Sequence, residues 1–217
     1  MTDFAAAREA MVDCQVRPAD VTRYAIIEAM LWAPRENFVP RHKRPVAYAG
    51  TEIDLGEGRV MLEPRVLAKM LETAAILPGD LVLEIGPATG YSTALIARMA
   101  EAVVAVEPDE TFAKQAQELL AGLEVHNAVV SQGDPAKGDA DHAPFDVIFF
   151  NGAVETLPDG LTDQLRDGGR LVAIFADNGV SQCRLLVRSG NAVSERYMFD
   201  ATGAILPGFE RPPAFVF

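Results

Sequence analysis

The sequence predicts an α/β fold: an open, mostly parallel seven-stranded sheet with helices on both faces. Three observations carry that expectation. Apolar runs of five or six residues alternate with helix-periodic stretches between Leu81 and Phe175. The first run leads into "EIGPATGYS", Glu84 to Ser92, a glycine-bearing turn from strand to helix. Two further runs flank Ser189-Gly190-Asn191, as in an antiparallel hairpin.

The elements follow in order. Asp20 is placed to cap a helix through "VTRYAIIEAMLWA", which Pro34 ends. "RENFVPRHKRPVAYAGTEIDLGEGRV" is rich in Pro and Gly and reads mostly as loop. Pro64 opens the helix "PRVLAKMLETAAIL", where its missing N–H had no partner in any case. "LVLEI", "VVAVE", "NAVVSQ", "FDVIFF" and "RLVAIF" read as five buried strands. The helices between them are "YSTALIARMA", "DETFAKQAQELLAG" with Asp109 as its cap, and a short one in "LPDGLTDQLRDGG". "QCRLLVRSGNAVSERYMF" supplies the last two strands. The expected organisation is one domain over 1–217, with an N-terminal helical and loop extension (1–63) and an α/β core (64–217).

Composition narrows the function. The 217 residues suffice for a sizeable core, and the formal charge of -12 repels phosphate backbones, which argues against a nucleic-acid binder. Cys14 and Cys183 fit no metal or CxxC spacing, so no metal site is expected. The N-terminus lacks a signal-type apolar segment and no run approaches a membrane span, so a cytoplasmic protein without membrane association is expected. The sequence is silent on oligomeric state, for which a monomer is the default.

The glycine turn admits two readings. A dinucleotide site needs G-x-G-x-x-G facing a pyrophosphate, but here Gly86 is followed by Pro87, Ala88, Thr89 and Gly90, and Pro87 removes an N–H. The alternative is E-x-G-x-x-x-G, formed by Glu84, Gly86 and Gly90, which resembles the first motif of class I S-adenosylmethionine-dependent methyltransferases. That cofactor carries a sulfonium and an ammonium, so an acid at position 84 is favourable. Glu107 ends the next strand a little over twenty residues later, where a carboxylate can accept both ribose hydroxyls. Asp134 follows the third strand, where related enzymes place an adenine-contacting acid, and Asn151 ends the fourth strand at the same crevice.

Over nearly its whole length the chain resembles the protein-L-isoaspartate O-methyltransferase family. The resemblance rests on "APRENFVP", "IDLGEG", "LVLEIGPATGYSTALIA" and, most specifically, "APFDVIFFNGAVETLPDGLTDQLRDGGRLV". It implies a Rossmann-like class I methyltransferase that uses S-adenosylmethionine to methylate the α-carboxylate of isoaspartyl residues in proteins or peptides, initiating repair. A carboxylate with a pKa near about 4 is already ionised at neutral pH, so no catalytic base is expected and none is assigned. His42, His126 and His142 read as surface or loop residues.

The substrate motif of the family, Thr-Ile-Ser-Gln-Pro, falls here on Val60-Met61-Leu62-Glu63-Pro64. Leu62 replaces the serine that helps hold the acceptor carboxylate, and Glu63 would repel that carboxylate if it faced inward. Thr51, Thr89 and Ser92 are the hydroxyls that can compensate. The apolar trio Val60, Met61 and Leu62 also suits a less polar small-molecule acceptor, and the altered motifs suit a catalytically silent cofactor-binding protein. The cluster Arg41 to Arg44 reads as a solvated loop face, with attraction of peptide carboxylates as the alternative. The tail is expected to pack as an extended edge burying Phe215 and Phe217.

Overall fold

The apolar runs pair as their alternation requires. In the computed structural model, which describes residues 3–177 and 179–211, a small hairpin of β1 (Ile53–Gly56) and β2 (Arg59–Met61) precedes the main sheet. That sheet contains β3 (Leu81–Ile85), β4 (Ala102–Glu107), β5 (Ala128–Gln132), β6 (Phe145–Val154), β7 (Leu165–Asp177), β8 (Val180–Ser189) and β9 (Ala192–Asp200). Its seven strands lie in the order β5-β4-β3-β6-β7-β8-β9. β3 to β7 are parallel, and β8 and β9 add antiparallel pairs at one end. The chain winds outward from β3 to β5 and then returns to β6 on the other side of β3. This reversal opens a crevice beyond the carboxyl ends of β3 and β6.

The two faces are covered unequally. Val82, Val103, Ala105, Val147, Phe149, Val172 and Ile174 belong to one core with the helices α1 (Phe4–Met11), α2 (Tyr24–Trp32), α3 (Pro64–Ala74), α4 (Tyr91–Ala97) and α5 (Glu110–Gly122). Their sequence neighbours Leu83, Ile85, Ile148, Phe150, Leu171 and Ala173 point the other way. There the cover is the short α6 (Asp159–Thr162) and the C-terminal segment, through Leu161, Leu206 and Phe209. Phe209 meets Phe150 edge to face at 5.2 Å. The C-terminal segment thus takes over a layer that helices alone do not fill.

Several boundaries differ from expectation. Asp20 does not cap α2: it sits at φ 62, ending the 3-10 turn Arg17–Ala19, and Arg23 is the residue before the helix. The stretch 35–60 is more ordered than loop, with 3-10 turns at Arg35–Asn37 and Arg41–Val46 and the β1–β2 hairpin. The hairpin turn uses Glu57 at φ 51 and Gly58 at φ 70, the paired left-handed geometry that suits tight hairpins. α3 stops at Ala74 rather than Leu77 because Ala75 turns left-handed at φ 50. β6 extends to Val154, so Asn151 lies inside the strand rather than ending it; pairing with β3 stops at Phe150, and Asn151 is the first residue past it.

Arg41 and His42 are exposed, and Lys43 is tied to Asp54 at 2.6 Å. His126 and His142 are exposed as well. Cys14 and Cys183 are free thiols, the second buried. Phe215 and Phe217 lie outside the described residues. Among the described residues no helix is long and apolar enough to cross a membrane.

α5 is anchored by its cap, in which the Phe112 N–H donates to Asp109 Oδ1 at 2.9 Å. Asp109→Ala should lower stability by about 1 kcal/mol, as read from the urea midpoint at unchanged slope.

Candidate functional site

The crevice is built from the turn between β3 and α4. Gly86 and Gly90 hold φ +72 and +87, a region open to glycine, and a Cβ on Gly90 would stand 3.0 Å from Ala116 of α5. Ala88 is left-handed as well, at φ 49. That conformation costs an alanine about 1 kcal/mol or more, and it aims the Ala88 N–H at Glu107 Oε2, 2.8 Å away.

Glu107, fully buried at the end of β4, is the centre of the cluster. Its Oε1 accepts from Arg59 Nη1 at 2.5 Å and from the Asp109 N–H at 3.3 Å. Arg59 comes from β2 and is itself 3% exposed. Its second arm, Nη2, donates to the Gly86 carbonyl at 2.8 Å. Asn151 Nδ2 donates to that same carbonyl at 3.2 Å. Four of the residues expected at the site, Gly86, Gly90, Glu107 and Asn151, are therefore brought together, and Arg59 ties two of them, Glu107 and Gly86, directly.

Glu84 lies elsewhere. Its side chain points beneath α4, where Thr93 Oγ1 donates to Oε2 at 2.6 Å and the Ser92 hydroxyl lies beside the carboxyl. Burial pushes this carboxyl up to about 7, against the hydroxyls of Ser92 and Thr93, which pull it down. Asp134 is exposed and caps the turn Pro135–Lys137 through the Ala136 N–H at 3.1 Å. Its partner strand position is close to Glu107, since the Gly133 N–H donates to the Glu107 carbonyl at 3.1 Å.

The substrate motif lines the inner wall. Val60, Met61 and Leu62 surround a void with Leu55, Leu67, Pro87, Thr89, Tyr91, Ser92 and Asn151. Leu62 is a core residue in this structure, its Cδ2 3.2 Å from where a Cβ on Gly203 would stand. Glu63 turns outward and pairs with Arg65 at 3.0 Å. Of the three candidate hydroxyls, Thr51 is exposed, Thr89 donates to the Phe38 carbonyl at 2.7 Å, and Ser92 is buried with its hydroxyl turned to Glu84.

Sequence reasoning missed three residues. Arg59 followed a Gly-x-Gly turn and carried no signal of its own. Leu206 reaches the site only through the C-terminal return, where its side chain lies 2.8 Å from a Cβ built on Gly86 and 2.7 Å from one on Gly152. Arg35 is wholly buried, donates to the carbonyls of Ala47 and Leu62 at 2.7 Å each, and stacks 5.0 Å from the Tyr91 ring. Burial lowers its pKa, with Tyr91 opposing. "PRENF" places it after a helix-ending proline, the one hint that its backbone is fixed.

Comparison with known proteins decides the family. The family described as Protein-L-isoaspartate(D-aspartate) O-methyltransferase matches residues 6–200. The chain belongs to this family. A protein-L-isoaspartate O-methyltransferase of Koribacter versatilis is 40% identical over 172 residues, covering 79% of this chain and 78% of its own. One from Roseiflexus castenholzii is 37% identical over 198 residues, covering 91% and 90%. A solved protein-L-isoaspartate O-methyltransferase superposes with TM-score 0.81 at 25% identity, over 93% of this chain and 66% of that one. A Plasmodium falciparum structure described in the same terms, in complex with S-adenosyl-L-homocysteine, gives TM-score 0.78 at 17% identity and shares the fold.

Protein-L-isoaspartate O-methyltransferases use S-adenosylmethionine, and the crevice of this member gathers an acid at the end of β4, a glycine turn and Asn151. The space is another matter. The void bordered by the substrate motif measures about 10 Å³, and a shallow hollow of about 280 Å³ lies beside Arg59, Pro108, Asp109 and Pro207. Arg59 occupies the acid and Leu206 covers the glycine. In the conformation described, the acid and the glycine turn are engaged by the chain itself, so a cofactor would have to displace Arg59 to reach Glu107.

The buried Glu84 carries a pH signature. An unfolded chain ionises this acid near about 4.3, while the fold retains the proton up to about 7. Its contribution is therefore complete below the unfolded value and is lost as pH rises toward 7, a change of roughly 3 kcal/mol. Glu84→Gln should flatten that slope and leave the variant more stable than the parent at pH 8, as read by denaturant unfolding across pH 5 to 8.

Proposed function

We propose that the protein is an S-adenosylmethionine-dependent O-methyltransferase of the isoaspartyl-repair type, acting on the α-carboxylate of isoaspartyl residues in proteins and peptides. The observation that carries this reading is the family match across residues 6–200, joined to a crevice that gathers Gly86, Gly90, Glu107 and Asn151 at the reversal of the sheet. The cofactor supplies the methyl group.

The roles proposed for the chain follow from position. Glu107 holds the ribose hydroxyls once released from Arg59, Asp134 borders the adenine, and Gly86, Gly90 and Asn151 form the floor. Glu84 supports that floor from beneath α4. Val60, Met61 and Leu62 border the acceptor. The single domain 1–217 divides these duties between the extension 1–63, on the substrate side, and the core 64–217. The acidic balance of -12 argues against affinity for nucleic acid, and a cytoplasmic monomer is the default state proposed.

The test is transfer of labelled methyl from S-adenosylmethionine to an isoaspartyl peptide, with the normal aspartyl peptide as control. Base-labile label on the isoaspartyl peptide alone is expected. Label on a neutral, less polar acceptor instead, with none on the peptide, would replace this reading by a small-molecule one.

Leu62→Ser probes the acceptor wall. It should raise kcat/KM on the isoaspartyl peptide by restoring a donor, while costing about 2–5 kcal/mol of stability because the leucine fills core space. Kinetics and thermal unfolding of the same preparation read both effects.

A further inference from the structure

The groups that a methyltransferase of this kind would turn toward its cofactor are already in use. Arg59 reaches across from β2 and takes both of them, Glu107 with one arm and the Gly86 carbonyl with the other. Leu206 closes the opposite side against Gly86 and Gly152. Tyr91 and Ser92 line the small void beside the substrate motif, and Arg35 stacks on Tyr91.

The elements doing the blocking lie outside the main ladder. The β1–β2 hairpin forms its own two-stranded sheet with three paired positions, and no strand of the main sheet pairs with it. The segment bearing Leu206 is joined to β6 and the two residues after it by backbone hydrogen bonds from the Ala153 N–H to the Ala204 carbonyl and from the Leu206 N–H to the Ala153 carbonyl, both 2.8 Å, and from the Glu155 and Thr156 N–H groups to the Phe209 carbonyl at 2.9 and 3.1 Å. Displacing either leaves the seven-stranded ladder intact.

We infer that Arg59 is a latch: the structure is a closed resting state in which the β1–β2 hairpin holds Glu107 and excludes the cofactor, and admission requires Arg59 to leave that carboxylate. The inference rests on the methyltransferase reading above. Arg59 is a gating residue and touches no reacting atom. Because only the open fraction binds, apparent affinity is the intrinsic affinity reduced by that fraction.

Calorimetry with S-adenosyl-L-homocysteine on the full chain tests this, together with Arg59→Ala, Arg59→Gln and Leu206→Ala. Arg59→Ala should tighten binding about tenfold or more, with Arg59→Gln and Leu206→Ala giving smaller gains. Folding of each variant is checked by near-ultraviolet circular dichroism, since Glu107 loses its partner. A second measurement uses the unaltered protein: in stopped-flow mixing, the observed binding rate should level off as S-adenosyl-L-homocysteine rises, limited by latch opening. A rate that climbs linearly with ligand, or an Arg59→Ala variant that binds no better or more weakly, would overturn the latch while leaving the methyltransferase reading intact. Absence of binding in the parent and in every folded variant, with no label transferred to the isoaspartyl peptide, would overturn the methyltransferase reading itself and the latch with it.

Discussion

A carboxylate at the end of β4 cannot be buried without partners, and the crevice is organised around meeting that demand. Glu107 obtains its partners from three directions: a guanidinium from the hairpin, an N–H from the glycine turn and an N–H from the start of α5. Each donor fixes a different element. The left-handed Ala88 is tolerable because its N–H is needed there. The hairpin is oriented because Arg59 must reach inward. The N-terminus of α5 is set by Asp109, which caps the helix with its side chain and serves Glu107 with its backbone. Removing one partner from such a cluster exposes the others to an uncompensated charge, which makes it both a structural keystone and a natural point of control.

The asymmetry of the two layers decides what surrounds this cluster. Five helices crowd one face of the sheet, and the other is completed by the short α6 and the return of the chain after β9. Because the last segment passes over the carboxyl ends of β3 and β6, the same residues that finish the core also close the crevice. Leu206 and Phe209 therefore have two duties, and the packing of one face is bound to access at the site.

The main sheet was legible in the sequence because each buried parallel strand is a short apolar run with turn residues on both sides. The cap at Asp109, the start of α3 at Pro64 and the hairpin near Gly190 were legible for the same local reason. Asp20 misled because capping depends on φ as well as on side-chain type, and its left-handed backbone ends a turn instead of starting a helix. The β1–β2 hairpin was hidden by its shortness and by glycines that read as loop. At the site, Glu107 and the glycines were legible from spacing along the strands. Glu84 was named, but the period-two alternation of β3 sends its side chain to the helix side. Arg59 and Leu206 were illegible, since their meeting with the glycine turn depends on tertiary routes that leave no periodic trace.

Leu62 and Gly203 form a size-matched pair. A Cβ on Gly203 would stand 3.2 Å from Leu62 Cδ2, 3.1 Å from Ile174 Cδ1 and 3.5 Å from the Ala153 nitrogen, so any larger residue there crowds the leucine. The two positions are 141 residues apart in the chain yet share one volume. Substitutions at the two positions are consequently coupled: a side chain at 203 would press on Leu62 at 3.2 Å and on Ile174 at 3.1 Å, so shrinking 62 relieves one of its two tight contacts. A lineage moving between the apolar and polar versions of this wall must cross an intermediate that is either hollow or overfilled, so the order of its substitutions is constrained by packing before it is constrained by chemistry.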